Sequence, residues 1–256
     1  MKIDKIKKLS GNKYQITFSD KSKLVTYDEV ILKNNLLYKK EITNDELKDI
    51  EKGNNYYSLY SESVKYLTKR IHSKIEYINY LDKKELDESL KNRLIEDMTR
   101  LNLLNDDNYL KAYIYDKFNL TNDGPIKMKK ELLENNIPEE KINKELNKIS
   151  KEEINKKLEK LVNKRIKITK GSSYQIKQKI LVYLINLGYE KNNIEVYLDN
   201  IDDSSSLEKD FNKIYISLVK KEQDEEKLYL KIKQKLYQKG YSLSRIEEII
   251  NKKRNN

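Results

Sequence analysis

Between Lys160 and Tyr189 the chain carries Lys160, Lys164, Arg165, Lys167, Lys170, Lys177 and Lys179 and no acid. Tyr174, Tyr183 and Tyr189 are interleaved with them. Cations without nearby carboxylates, mixed with aromatic rings, suit two kinds of partner. One is a nucleic-acid backbone, whose phosphates the cations neutralise and whose bases the rings stack on. The other is an acidic protein face. A solvated helix face in a lysine-rich chain accounts for the same residues, with the tyrosines partly in the core.

Little else in the sequence could do chemistry. There is no Cys, which removes disulfides, thiol catalysis and Cys-type zinc sites. His72 is the only His, so no multi-histidine metal site can form. It precedes Ser73-Lys74-Ile75-Glu76, a capping box, and is expected to be packed or solvated at a helix entry. The pairs Asp106-Asp107 and Asp202-Asp203 read as helix caps or loop acids that complement a helix dipole. Neither has a His beside it to make an acid–base site. Neither GxGxxG nor GxxxxGK[ST] occurs. No cofactor or metal is expected, and no enzyme.

The elements that position these residues follow from composition and period. The chain has 256 residues and a formal net charge of +11. Charged and hydrophobic residues each make up 37%, and mean hydropathy is −0.89. Such values border on disorder unless the apolar residues are periodic. The abundance of Lys, Asn, Ile and Tyr resembles the output of an AT-rich genome, which weakens the charge as a sign of nucleic acid. No apolar run approaches the roughly 20 residues of a membrane helix, and the N-terminus lacks a signal-peptide core. A cytoplasmic location and no membrane partner are expected.

The first fifty residues alternate with period two. Ile3, Lys5, Lys7 and Leu9 precede the turn Ser10-Gly11-Asn12; Tyr14, Ile16 and Phe18 precede the turn at Ser19–Ser22; Leu24, Val25 and Tyr27 follow. This predicts a three-stranded antiparallel meander. Asp28 is expected to cap a short helix carrying Val30, Ile31 and Leu32, and Thr43-x-x-Glu46 to open another.

From about Asn55 the pattern is helical and repeats. Asn136, Gly188 and Gly240 end equivalent helices 52 residues apart, and a further step back gives Lys84. Asn and Gly suit a left-handed C′ position; Lys84 suits it poorly. Leu90, Ile142, Ile194 and Ile246 recur in register, as do Leu94, Leu146, Leu198 and Ile250. Met128, Ile180 and Ile232 correspond, while the first copy has Glu76. All six glycines are assigned to turns. Leading helices carry Val64, Leu67 and Ile71; Leu110, Ile114 and Phe118; Leu158, Val162 and Ile166; and Ile214, Leu218 and Val219. Tyr80, Tyr113, Tyr183 and Tyr237 fall at apolar helix positions, and Tyr56 and Tyr57 are placed as a wedge between head and body. The expected fold is mainly α: tandem three-helix repeats forming a curved solenoid, with a small β-meander and helix at the N-terminus. Its divisions are 1–55 for the head, then 56–105, 106–150, 151–203 and 204–256 for four repeats.

Three segments also carry a resemblance. Tyr66-Leu67-Thr68-Lys69-Arg70-Ile71-His72-Ser73-Lys74-Ile75-Glu76 resembles the first-repeat motif of the bacterial RecX family, basic residues followed by His-Ser and an acid. Leu104-Asn105-Asp106-Asp107-Asn108-Tyr109-Leu110-Lys111-Ala112-Tyr113 and Gly124-Pro125-Ile126-Lys127-Met128-Lys129-Lys130-Glu131-Leu132 resemble its second-repeat segments. Ile71 and Leu110-Lys111 depart from the family pattern. The head and a fourth repeat look like the longer form found in low-GC Gram-positive bacteria. The resemblance implies a non-enzymatic regulator of the RecA recombinase, a monomer lying in the groove of the RecA–DNA filament. Direct DNA binding and a generic helical adaptor are the alternatives.

Recurrence at 52 residues places Lys127, Lys179 and Lys231 on one face. Arg70, Lys74, Lys127, Lys130, Lys177 and Lys179 are expected to form one basic, inward-curving stripe, with Lys164, Arg165, Lys167 and Lys170 as further contacts. Solubilising lysines are the alternative reading.

Overall fold

The computed structural model describes residues 1–199 and 201–254, and its contacts divide the chain into two units, Met1–Tyr109 and Leu110–Asn256. Among the described residues there are three strands and thirteen helices.

The first unit opens with an antiparallel sheet in the order β1 (Ile3–Lys8), β2 (Lys13–Phe18), β3 (Lys23–Tyr27). The register shifts between Ile3 and Lys5, so Ile3 and Ile6 pack inward in β1 rather than a strictly alternating set. Ile16, Phe18 and Tyr27 pack on Val30 and Ile31 of α1 (Asp28–Lys33), on Leu36 and Ile42, and on Ile50 of α2 (Asn44–Leu67). Three short strands cannot stand alone, and this helical cover supplies their core. Tyr27, not Asp28, is the N-cap of α1, and Leu32 is exposed. Thr43 and Glu46 form the capping box that starts α2.

α2 continues through residues 55 and 56 without a break. Gly53 therefore lies inside a helix and not in a turn. A Cβ there would sit 3.0 Å from Val30 Cγ2, so its absence lets α1 pack closely. Tyr57 touches both the head core and the next cluster, which makes it the wedge expected from its position. That second cluster joins Tyr56 and Leu67 of α2, Tyr77 and Leu81 of α3 (Lys74–Asp82), and Leu94 and Met98 of α4 (Glu88–Arg100).

The first repeat slips by one residue against the others. Tyr77, fully buried, takes the place expected of Glu76, and the left-handed residue is Glu85 rather than Lys84. Leu90 and Leu94 keep the 52-residue spacing while the preceding helix and turn keep 51. Counting back from the leucines therefore misplaces the turn. Leu90 is only half-buried, and Ile71 lies exposed beyond the end of α2.

The second unit contains α5 (Asp106–Leu120, shared with the first unit), α6 (Pro125–Glu134) and α7 (Glu139–Leu146); α8 (Lys151–Ile168), α9 (Ser173–Asn186) and α10 (Lys191–Glu195); and α11 (Ser204–Leu218), α12 (Glu225–Gln238) and α13 (Leu243–Arg254). Met128, Ile180 and Ile232 are buried, as are Ile142, Ile194 and Ile246. Asn136, Gly188 and Gly240 all have positive φ, as a left-handed helix end requires. Pro125 stands at the first position of α6, where a missing N–H costs nothing.

The middle helices abut end to end. The Gly124 and Ile126 amides at the start of α6 donate to Leu187 O and Gly188 O at the end of α9 (2.6 and 3.1 Å). Ser172 Oγ at the start of α9 donates to Lys239 O at the end of α12 (2.7 Å). Each junction satisfies orphan amides or hydroxyls with orphan carbonyls, the groups that helix ends otherwise leave to water.

Four residues in this unit depart from expectation. Leu146 is half-buried although Leu94, Leu198 and Ile250 are buried. Tyr237 is 59% exposed, because its helix position faces away from α11 and α13, and Val219 is exposed at the end of its helix. Asp203 occupies the N-cap of α11 but makes no capping bond; its carboxylate is fully buried and accepts from the Ser173 amide (2.6 Å).

Candidate partner-binding surface

Helix α8 exposes Lys156, Lys160, Lys164 and Lys167 and buries Leu158, Leu161 and Val162 on its other side. The apolar face fixes the orientation of the helix, and that in turn turns the lysines outward. Lys170 follows in the α8–α9 turn, also exposed. Among the described residues none of Lys160, Lys164, Lys167 and Lys170 lies in an ion pair, and neither does Lys130 on α6. Arg165 is engaged within the fold. Its guanidinium stacks 3.6 Å from the centroid of the Tyr183 ring and ties α8 to α9.

The cations recurring at 52 residues are less available. Lys127 Nζ bonds Asp123 (2.7 Å), and Lys231 bonds Glu222 (2.5 Å). Lys179 Nζ donates to Lys170 O (3.1 Å), and Lys177 lies 3.4 Å from Asp199. In the first unit Arg70 grips Glu76 with both terminal nitrogens (3.2 and 2.9 Å). The neighbouring Lys74 is exposed, and its backbone amide donates to Asp106 (2.8 Å). The un-neutralised charge of the second unit thus gathers on α8 and its turn more than on the row of middle helices.

Sequence reasoning missed the carboxylates that do the neutralising. Asp123, in the α5–α6 turn, is buried between Lys117 (3.3 Å) and Lys127. Burial pushes its carboxyl up, but the hydrogen bonds from Lys127 and Lys117 outweigh it and hold the group below its ordinary value. Glu131 shares Lys117 (2.8 Å) and accepts from the Tyr113 hydroxyl. Both lysines are near Asp123 in sequence, Lys127 as an i,i+4 partner and Lys117 six residues before it, but the burial of the carboxylate between them is set by the packing of α5 against α6. Lys157 is the converse: desolvation lowers its ammonium, which donates to Phe118 O (2.5 Å).

His72, expected to be packed or solvated at the helix entry, is packed. Its Nδ1 sits 2.7 Å from Arg70 O and its ring centroid 4.2 Å from that of Tyr66. Burial, then the Arg70 charge, lowers its pKa. Ser73 and Glu76 form the expected capping box. Asp106 and Asp107 lie in the first turn of α5, and Asn105 accepts from the Asp107 and Asn108 amides (both 3.0 Å). Asp202 accepts from Ser204 and Arg245; those bonds, Ser204's first, lower its pKa to about 2.

No protein-family model matches the chain. It is 23% identical to the regulatory protein RecX of Enterococcus faecalis over 98% of this chain and 97% of that protein. It is 28% identical to the regulatory protein RecX of Bacillus cytotoxicus over 88% and 85% of the two chains. A crystal structure of a regulatory protein RecX superposes with a TM-score of 0.63 at 19% identity, covering 78% of this chain and 99% of that one. RecX from Lactobacillus salivarius gives a TM-score of 0.50 at 21% identity over 57% and 96%. The chain is thus similar in sequence, over most of its length, and in fold to proteins named as RecX regulatory proteins.

Proposed function

We propose that this protein is a non-enzymatic, cytoplasmic, monomeric regulator of the RecA recombinase that binds in the groove of the RecA–DNA filament and restrains its activity. The observation that carries this reading is the sequence likeness to proteins named as regulatory RecX along nearly the whole chain. A surface of several weak contacts suits a filament, because protomers in series supply avidity without any single strong contact. Lys130, Lys164, Lys167 and Lys170 are the cations this reading assigns to the contact, with Arg70 and Lys74 from the first unit.

The test is co-sedimentation with RecA assembled on single-stranded DNA and ATP, together with a strand-exchange assay. The protein should pellet with the filament and slow exchange. The variant Lys130→Gln/Lys164→Gln/Lys167→Gln/Lys170→Gln should keep its fold, since exposed substitutions cost little, and lose both effects. Failure of the unaltered protein to pellet overturns the reading.

The un-neutralised lysines, with the exposed ring of Tyr174, favour a second reading: direct binding of DNA. Salt separates the two. Binding to free DNA should fall steeply as salt rises, and the quadruple variant should flatten that slope.

A further inference from the structure

The second and third repeats differ where their third helices turn back. Leu198 and Ile201 are 3% and 6% exposed and belong to the core of the third repeat. Their counterparts 52 residues earlier, Leu146 and Ile149, are only half-buried. Both instead line a groove of about 850 Å³. Its walls come from α7 and the turn after it, the start of α8, the start of α6, the turn after α9 and α10, all within the second unit. The groove is of a size that holds a ligand or a short peptide segment.

The lining pairs two chemistries. Ile126, Leu146, Ile149 and Ile154 provide apolar surface. Asn143 on α7 and Asn147 at its C-cap, four residues on, with Asn155 and Asn193 from two other elements, add four exposed carboxamides. A carboxamide offers a donor and an acceptor, the pair an extended peptide backbone needs, and it does so without the desolvation cost of a charge. Lys151 also lines the groove and has no ion-pair partner among the described residues, whereas Lys129 is held by Glu139 (2.7 Å).

We infer that this groove docks an extended segment of a partner protein, its main chain bonded by the Asn carboxamides, an apolar side chain laid on Leu146 and Ile149, and an adjacent carboxylate paired with Lys151. A core that closes in one repeat and stays open at the equivalent place in the next leaves apolar surface that such a side chain covers. A peptide matches the carboxamides better than a nucleic acid does, because the lining brings one free cation and one acid, Glu190, rather than a basic row. The groove would hold such a segment whichever protein supplies it, so the assignment does not depend on the RecA reading.

The experiment pans a displayed random heptapeptide library on the full-length protein and measures selected, fluorescein-labelled peptides by anisotropy. Selected peptides should carry an apolar residue next to an acid. Asn147→Ala/Asn155→Ala, both at exposed positions, should weaken binding about tenfold or more, and Lys151→Gln should weaken acidic peptides alone. Leu133→Asp, an exposed apolar site on α6 that does not line the groove, should leave binding unchanged. Methyl resonances of Leu146 and Ile149 should move on titration while those of Leu198 and Ile201 stay, a readout that needs no substitution to fold. No enriched peptide, or binding indifferent to the two Asn substitutions, overturns the inference. So does a concentration-dependent dimer that Leu146→Asp abolishes, since it would put a second copy in the groove.

Discussion

The two junctions along the middle helices of the second unit are built from different material. Between α6 and α9 the contact is backbone on backbone: a Cβ on Gly188 would lie 2.3 Å from the Lys127 amide nitrogen, and one on Gly124 would lie 2.5 Å from Gly188 O. Between α9 and α12 side chains do the work. Ser172 reaches Lys239 O, a Cβ on Gly240 would meet Ser172 Oγ at 3.0 Å, and Arg245 pairs with the buried Asp203 beneath the first turn of α9. A backbone seam is rigid and tolerates no added atom. A side-chain seam tolerates added atoms and depends on charge and hydrogen bonds. Substitution should therefore damage the first through volume and the second through chemistry.

The largest effect is expected at Gly188→Val. Positive φ of 87° and the close Lys127 backbone both oppose a β-branched side chain, and the loss should reach about 3 kcal/mol or more in chemical denaturation. A melting curve like that of the unaltered protein would remove the backbone seam. Next comes Arg245→Ala, which leaves the Asp203 carboxylate buried with the Ser173 amide as its remaining partner. Removing one member of a buried pair costs up to about 5 kcal/mol, and the part-exposed Arg245 brings the expectation to about 2 kcal/mol. Asp203→Asn combined with it should recover part of that loss.

Gly124→Ala isolates the close approach, because Gly124 has an ordinary φ of −95°. It should cost about 1–2 kcal/mol as overpacking alone, less than Gly188→Val by the backbone term. Ser172→Ala should cost about 1 kcal/mol, removing the cap on Gln175 N and the bond to Lys239 O together. The smallest effect is a titration. Asp202 has its pKa lowered to about 2, so its contribution is complete above the ordinary carboxylate range and fades as pH falls through about 2. In Arg245→Ala its carboxyl resonance should titrate at a higher pH, though still below an ordinary Asp, since the Ser204 bonds remain. No movement would show that Arg245 serves Asp203 alone.

Much of this was legible in the sequence because it is local or periodic. The strands, the capping boxes at Thr43 and Ser73, the left-handed ends at Asn136, Gly188 and Gly240, and the buried positions at Ile142, Ile194 and Ile246 each follow from a turn residue or a spacing of a few residues. The motifs around His72 and Gly124 carried the resemblance that the relatives bear out. The candidate site was less legible. Charge type and the absence of acids from 160 to 189 can be read directly, but which lysines are neutralised cannot. Lys127 loses its freedom to Asp123 at i−4 and Lys231 to Glu222 in the turn before its helix, carboxylates that do not recur with the 52-residue repeat.

Periodicity says which face of a helix is apolar, since that depends only on 3.6 residues per turn. It does not say whether a neighbour arrives to cover that face. Leu146 and Leu198 look alike in sequence, and only the placement of surrounding helices leaves one open and closes the other. The one-residue slip at Tyr77 has the same origin, because a helix can rotate to bury the larger ring once its neighbours define where the core lies. The helices, most of their caps and the kind of charge they carry follow from residues near one another in the chain. Packing sets which glycines are backbone seams and where the core stays open, because each joins elements distant in the chain, and it selects which of several nearby acids takes each lysine.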